Sequence, residues 1–161
     1  MSILAIDPGN KESGWVIMDE KTLKPLLFGK DDNVNAVGLF SQWGVDKAVI
    51  ERVACYGMPV GKEVFETCEW IGRFTEKLES HGVQVHYITR KDEKLNLCNS
   101  MQAKDSNIRR ALIDRFAQHD LKNGKGTKDN PDWFYGFKAD IWAAYAVGVT
   151  WCDMQREEKQ T

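Results

Sequence analysis

Residues 3–18 read Ile-Leu-Ala-Ile-Asp-Pro-Gly-Asn-Lys-Glu-Ser-Gly-Trp-Val-Ile-Met. A short continuous apolar run at 3–6 is followed by turn formers at 7–10 and by β-favouring residues at 15–18, so the stretch predicts strand, turn, strand. A third strand over 26–28, after the Lys24-Pro25 step, makes an antiparallel meander. Val34, Val37, Leu39 and Phe40 predict a helix over 33–43. The apolar run 48–50 then follows that helix and ends at Glu51-Arg52, the pattern of a strand added parallel to the first.

Further along, Val64, Phe65, Cys68, Ile71, Phe74 and Leu78 predict a helix over 61–79, and 83–88 supplies a fifth strand. Ile108, Leu112, Ile113 and Phe116 mark another helix over 108–116, and the polar stretch 119–132 reads as a mobile loop. The final element, from 139 to about 154, is apolar nearly all round and is expected to pack on the sheet as a buried helix. The expected fold class is α/β, a central five-stranded mixed sheet with helices on both faces. No repeat or linker interrupts it, so residues 1–161 are expected to form one domain.

With 161 residues, 42% of them hydrophobic and 29% charged, the chain has apolar material for one packed core. No run approaches the ~18–20 apolar residues of a membrane helix, and the opening MSILAIDPGN lacks the basic flank and long apolar stretch of an export signal. Cys55, Cys68, Cys98 and Cys152 lie far apart without a C-x-x-C pair, so a reducing, cytoplasmic location is expected and a zinc site or disulfide framework is not. The net charge of −2 hides segregation: residues 90–128 hold ten Lys or Arg against five acids, which leaves the remainder at −7. An acidic body with one basic segment suits a protein that holds cations at one place and a polyanion backbone at another; a solvated face is the plainer alternative.

Three acids stand in unusual positions. Asp7 closes the first strand, Glu51 closes the fourth, and Asp140 begins a helix that holds almost nothing else polar. Strands one and four, if parallel neighbours, bring Asp7 and Glu51 side by side at their carboxyl ends, where open α/β sheets hold ligands. Two carboxylates that close repel each other unless a cation shares them, and hard oxygen ligands point to Mg2+ or Mn2+. Each acid also has a bland reading: a turn at 7–9, a surface pair of Glu51 with Arg52, a helix start that favours Asp140.

These residues carry a resemblance. The opening, with Asp7 on strand one and a second strand after Gly14, the motif Val49-Ile50-Glu51, and the acidic helix start Lys138-Ala139-Asp140-Ile141-Trp142 resemble the RuvC family of Holliday-junction resolvases, in the RNase H-like superfamily. The wording of 56–62, Tyr-Gly-Met-Pro-Val-Gly-Lys, and of 103–109, Ala-Lys-Asp-Ser-Asn-Ile-Arg, looks like the diverged RuvC-like proteins encoded by bacteriophages. The resemblance implies a crossover-junction endonuclease in which Asp7, Glu51 and Asp140 are the catalytic and metal-holding residues. Two Mg2+ or Mn2+ ions about 3.5–4 Å apart would activate water on one side of the scissile phosphate and stabilise the leaving 3′ oxygen on the other. His81, His86 and His119 lie away from the three acids in this layout, and such chemistry needs none of them.

The family's usual fourth acid, one helical turn beyond the position of Asp140, is here Ala143. Glu63 and Glu66 are candidate substitutes, or ordinary helix-surface acids. The resemblance also assigns Lys94 and Lys104, with Arg109 and Arg110 next in line, to branched DNA. Tyr56 sits in a loop that either wedges at a junction centre or fixes a turn. Family members act as homodimers, and the helix 61–79, with Phe65, Trp70 and Phe74, is the expected interface unless those aromatics are core. Competing readings are an RNase H-like nuclease on RNA/DNA hybrids and a branched-DNA binding module that has lost cleavage. An actin-like phosphate-handling fold would need Gly-rich phosphate loops that the chain lacks.

Overall fold

The computed structural model describes residues 1–161. Five strands, β1 (Ser2–Asp7), β2 (Glu12–Asp19), β3 (Pro25–Asp32), β4 (Lys47–Glu51) and β5 (Gln84–Ile88), form one sheet in the order β3-β2-β1-β4-β5. β1 runs antiparallel to β2 and parallel to β4, and β4 runs parallel to β5, so the sheet is mixed as expected. The helices are α1 (Asn33–Leu39), α2 (Lys62–Ser80), α3 (Arg90–Cys98), α4 (Asp105–Phe116) and α5 (Ala139–Gln160). None of them is long and apolar enough to cross a membrane.

Side-chain alternation along the strands sorts the core into two layers. Ile3 and Ala5 of β1, Val16 and Met18 of β2 and Val49 of β4 meet α4 and α5. Leu4 and Ile6, Trp15 and Ile17, and Ala48 and Ile50 meet α1 and α2 on the opposite face. The same parity sends Asp7 and Glu51 to the α5 side.

Helix α5 approaches β2 unusually closely. A methyl group at Gly14 would lie 2.5 Å from the main-chain oxygen of Asp140 and 2.9 Å from its Cβ. At Gly148 it would run into Met18 and lie 3.1 Å from the Ala5 Cβ. At Gly14 the neighbour is backbone and only glycine fits, whereas at Gly148 the neighbour is the movable end of Met18, so Gly14 is the point that sets the height of α5 above the sheet.

Four segments depart from the sequence reading. α1 ends at Leu39 and α5 continues to Gln160. α3 carries no apolar period and was not expected; a capping box holds it, the Thr89 side chain accepting from the Asp92 amide at 3.3 Å while Asp92 accepts from the Thr89 amide at 2.8 Å. Residues 119–132, expected to be a mobile loop, form a hydrogen-bonded knot. The buried Asp132 carboxylate accepts the amides of Gln118, His119, Asp120 and Trp133 at 2.7–3.1 Å, and the Asp120 carboxylate accepts those of Asn123, Lys125 and Gly126. The knot delivers Phe134 and Phe137 to the core beside Trp142 and Tyr145, whose hydroxyl donates to the Leu23 carbonyl at 2.8 Å.

Burial alone would raise the pKa of Asp132, but its amide donors outweigh that and hold the carboxyl far below the usual range. A depressed folded-state pKa contributes stability that is present above the unfolded value, 3.8, and is lost as the pH falls below it. Asp132→Asn is therefore expected to cost about 3 kcal/mol at pH 7 and to flatten the fall in melting temperature between pH 5 and 2.5. Thermal melts of both proteins across that range check this.

Candidate active site

The register of β1 against β4 pairs Ile6 with Ile50, so the next residues, Asp7 and Glu51, stand together at the carboxyl ends of two parallel strands. Asp7 pairs with Gly14 on the other side, and the vacancy at Gly14 is where the first turn of α5 brings Asp140. The turn between β1 and β2 is pinned from beneath. Ser13 donates to the Asn33 side chain at 2.6 Å, and Asn33 donates to the Gly9 carbonyl at 2.8 Å. Asp7, Glu51 and Asp140 thus line one cleft of about 330 Å3, together with Arg90, Asp105, Arg109, Trp142 and Ala143. Ala143 does face this cleft, at the position where an acid one turn after Asp140 would project.

A fourth carboxylate comes from α3. Glu93 is fully buried, within hydrogen-bonding reach of Glu51 and close enough to Asp7 for their charges to interact. Its Oε1 accepts from Arg90 at 3.1 Å, and its Oε2 has no partner. The sequence reading missed this residue because α3 shows no hydrophobic period. The Thr89-x-x-Asp92 spacing was the available signal. Neither Glu63 nor Glu66 lines this cleft: Glu63 shares with Glu51 an adjoining depression bordered by Gly9 and Val64, and Glu66 lies 3.9 Å from Lys62.

Few cations offset this negative charge. Arg90 is shared between Glu93 and Asp105, and Lys30 reaches Asp140 at 2.5 Å and Glu12 at 3.2 Å. Asp7 and Glu51 form no ion pair, although the charge of Arg90 reaches Asp7 and partly offsets its crowding. Burial first, then the charge of Glu51 and a hydrogen bond with it, push Asp7 up to about 8. Burial and Glu51 likewise push Glu93 up to about 9. Crowded, desolvated carboxylates with one orphaned oxygen make a donor set that suits a hard divalent cation, although no three His, Cys, Asp or Glu side chains form a ready-made metal cage.

The basic residues divide. Arg109 is exposed, stacks over Trp142 at 5.1 Å and borders both the acidic cleft and an adjoining groove with Lys122 and Lys125. Arg110 also lines that groove, but its guanidinium donates to the carbonyls of Leu121 and Lys122 and to Asp114, which holds the 119–132 knot against α4. Lys104 is exposed at the start of α4, and Lys94 is half-buried on α3; neither lines the cleft. Tyr56 is exposed in the loop between β4 and α2.

The strand order, the two-sided helical packing and the position of α5 define an RNase H-like fold of the RuvC type. RuvC of T. thermophilus, solved in complex with a Holliday junction substrate, superposes with a TM-score of 0.72 at 13% identity, over 98% of this chain and 96% of that one. Another Thermus thermophilus RuvC structure gives 0.68 at 14% identity, over 98% and 97% of the two chains. A Fowlpox virus resolvase, in complex with substrate Holliday junction DNA, gives 0.59 at 12% identity, over 94% and 99%. No protein-family model and no curated protein matches the chain at the level of sequence.

A carboxyl whose folded-state pKa is raised keeps a proton that the unfolded chain releases, so stability is lost as the pH rises from about 4 toward the folded value. The chelator-treated protein is expected to melt progressively lower between pH 5 and pH 8. Asp7→Asn should raise the pH 8 melting temperature by about 5 °C, equivalent to about 1–2 kcal/mol, and reduce the response to added Mn2+. Scanning calorimetry with EDTA and with Mn2+ measures both.

Proposed function

We propose that this chain is a metal-dependent, structure-selective DNA endonuclease, one nuclease domain spanning 1–161, that cleaves Holliday junctions or other branched DNA. The observation that carries this reading is the continuity of two surfaces: the acidic cleft at Asp7, Glu51 and Asp140 opens through Arg109 and Trp142 into the groove of Lys122 and Lys125. A phosphate backbone in that groove meets cations along its length and reaches the carboxylates at its end. Likeness to resolvases solved with junction DNA supports branched DNA as the substrate. The wording of 56–62 and 103–109 supports a bacteriophage-type member.

Asp7, Glu51 and Asp140 would hold Mg2+ or Mn2+. When bound, the cations supply activated water and stabilisation of the leaving 3′ oxygen. Asp7, the most crowded of the three, provides the central negative charge. Arg109, braced on Trp142, fixes a neighbouring phosphate and offsets charge that develops on it. Lys30 pairs with Asp140 and with Glu12, so a cation held by Asp140 would compete with that pair.

A homodimer would put two such sites on two strands of a junction. On α2, Phe74 is buried and Phe65 is 60% exposed, and Tyr56 and Met58 of the preceding loop are exposed as well. The interface on this helix therefore centres on Phe65. A non-cleaving junction binder is the second reading, favoured by the absence of an acid at 143 and by the grip of Lys30 on Asp140.

The deciding experiment incubates the protein with a labelled four-way junction, a flap, a linear duplex and an RNA/DNA hybrid, each with Mg2+ and with Mn2+. Nicking of the junction that Asp7→Asn abolishes, with binding retained, is the expected outcome. Cleavage confined to the hybrid points to an RNase H-like activity, and tight junction binding without nicking under any condition points to a binder. Arg109→Ala should weaken junction binding and lower the slope of log affinity against log salt by about one unit, measured by fluorescence anisotropy. Phe65→Glu should convert a dimer to a monomer in sedimentation velocity.

A further inference from the structure

We propose that Glu93 is a direct cation ligand of this site, a fourth carboxylate delivered by α3 in place of the acid that α5 lacks at Ala143. The inference rests on the metal-dependent reading above and assigns one more residue to it.

Glu93 occupies a place where an apolar side chain would be expected. It lies one helical turn before Leu97, on the face of α3 that packs toward the α5 side of the core, and it is 0% exposed. An acid that served only as a counter-ion for Arg90 would be satisfied at the surface, where Arg90 already meets the exposed Asp105. Instead one oxygen takes the Arg90 bond, and the other is buried without a donor, within hydrogen-bonding reach of Glu51. Burying an unpaired carboxylate oxygen beside another carboxylate is unfavourable for the isolated chain. A hard cation shared by Glu51 and Glu93 removes both penalties, since each acid then contributes an oxygen ligand instead of repelling the other.

The backbone supports this role. β5 lies next to β4 and ends beside Glu51, which pairs with Ile88. α3 begins at Arg90, after the single residue Thr89 whose capping box fixes it, so Glu93 returns to the sheet edge that carries Asp7 and Glu51. Ala143 borders the cleft from the α5 side. The set of four acids is thereby completed from a different element.

The test is Mn2+ binding to the full chain without DNA, followed by isothermal titration calorimetry and by the Mn2+-dependent rise in melting temperature. Wild type is expected to take up two ions. Glu93→Gln, which preserves volume and the acceptor for Arg90, should lose one ion or bind it at least a hundredfold more weakly, beyond the 10–100-fold change that loss of an outer partner of a ligand produces. Adding Ala143→Asp to Glu93→Gln should restore the second ion. Glu93→Val, which extends the packed face of α3, keeps the question answerable if the Gln variant folds poorly; it should melt higher than wild type in EDTA and gain less from Mn2+. Retention of both ions within a hundredfold of wild-type affinity, or a Val variant with the full Mn2+ response, overturns the assignment and leaves Glu93 as a partner of Arg90. Failure of wild type itself to bind Mn2+ or to nick a junction overturns the nuclease reading instead, which separates the two failures.

Discussion

Helix α5 rests on β1 and β2 so closely that a methyl group at Gly14 would sit 2.5 Å from the Asp140 carbonyl oxygen. This contact decides where the first turn of α5 lies, and through it the position of Asp140 relative to Asp7. The obstacle at Gly14 is the main chain and Cβ of Asp140, so no rotamer change can absorb a larger residue there. At Gly148 the obstacle is the flexible side chain of Met18, which can move. The two glycines therefore differ in consequence: one governs site geometry, the other mainly the packing of the helix. Small residues along the contact, Ala5 and Ala144 among them, are fully buried and extend the same close approach.

The cleft stores electrostatic repulsion that the rest of the fold must hold. Asp7, Glu51 and Asp140 line it and Glu93 is buried next to Glu51; of the cations near them, Arg90 and Lys30 are each divided between two acids and Arg109 stands over Trp142. The counter-forces are the two core layers and the anchoring of the β1–β2 turn by Ser13 and Asn33. A site built this way suits cations, which would relieve the poor fit of its own residues. The rigid sheet keeps the carboxylates from relaxing apart.

Asp7 and Glu51 were legible in the sequence because strand alternation is strict: residues 3, 5 and 7, and 49 and 51, share a face, so a buried apolar run that ends in an acid directs that acid into the same layer. Asp140 was legible as the one charge at the start of an apolar helix. Glu93 was not, because α3 owes its existence to end-capping and to its place after β5, and neither leaves a hydrophobic period. Arg109 and Arg110 are indistinguishable in sequence. Adjacent positions on a helix diverge by about 100°, and the carbonyls that engage Arg110 belong to residues 121 and 122. The order of 119–132 was hidden for a related reason: the composition is that of a loop, and its structure comes from Asp120 and Asp132 gathering amides from across the segment.

Charge segregation follows from this architecture. The segment 90–128 contributes the walls of both cleft and groove, through Arg90, Arg109, Lys122 and Lys125, while the remainder of the chain carries the excess of acids. With charge divided in this way, a polyanion would be drawn to the basic track, which leads past Arg109 to the carboxylates. Cations in the cleft would invert its local charge and join it to the groove as one continuous positive path. Metal binding would then do more than equip the chemistry. It would also remove the repulsion that keeps a phosphate away from Asp7, coupling entry of the scissile phosphate to occupancy of the site.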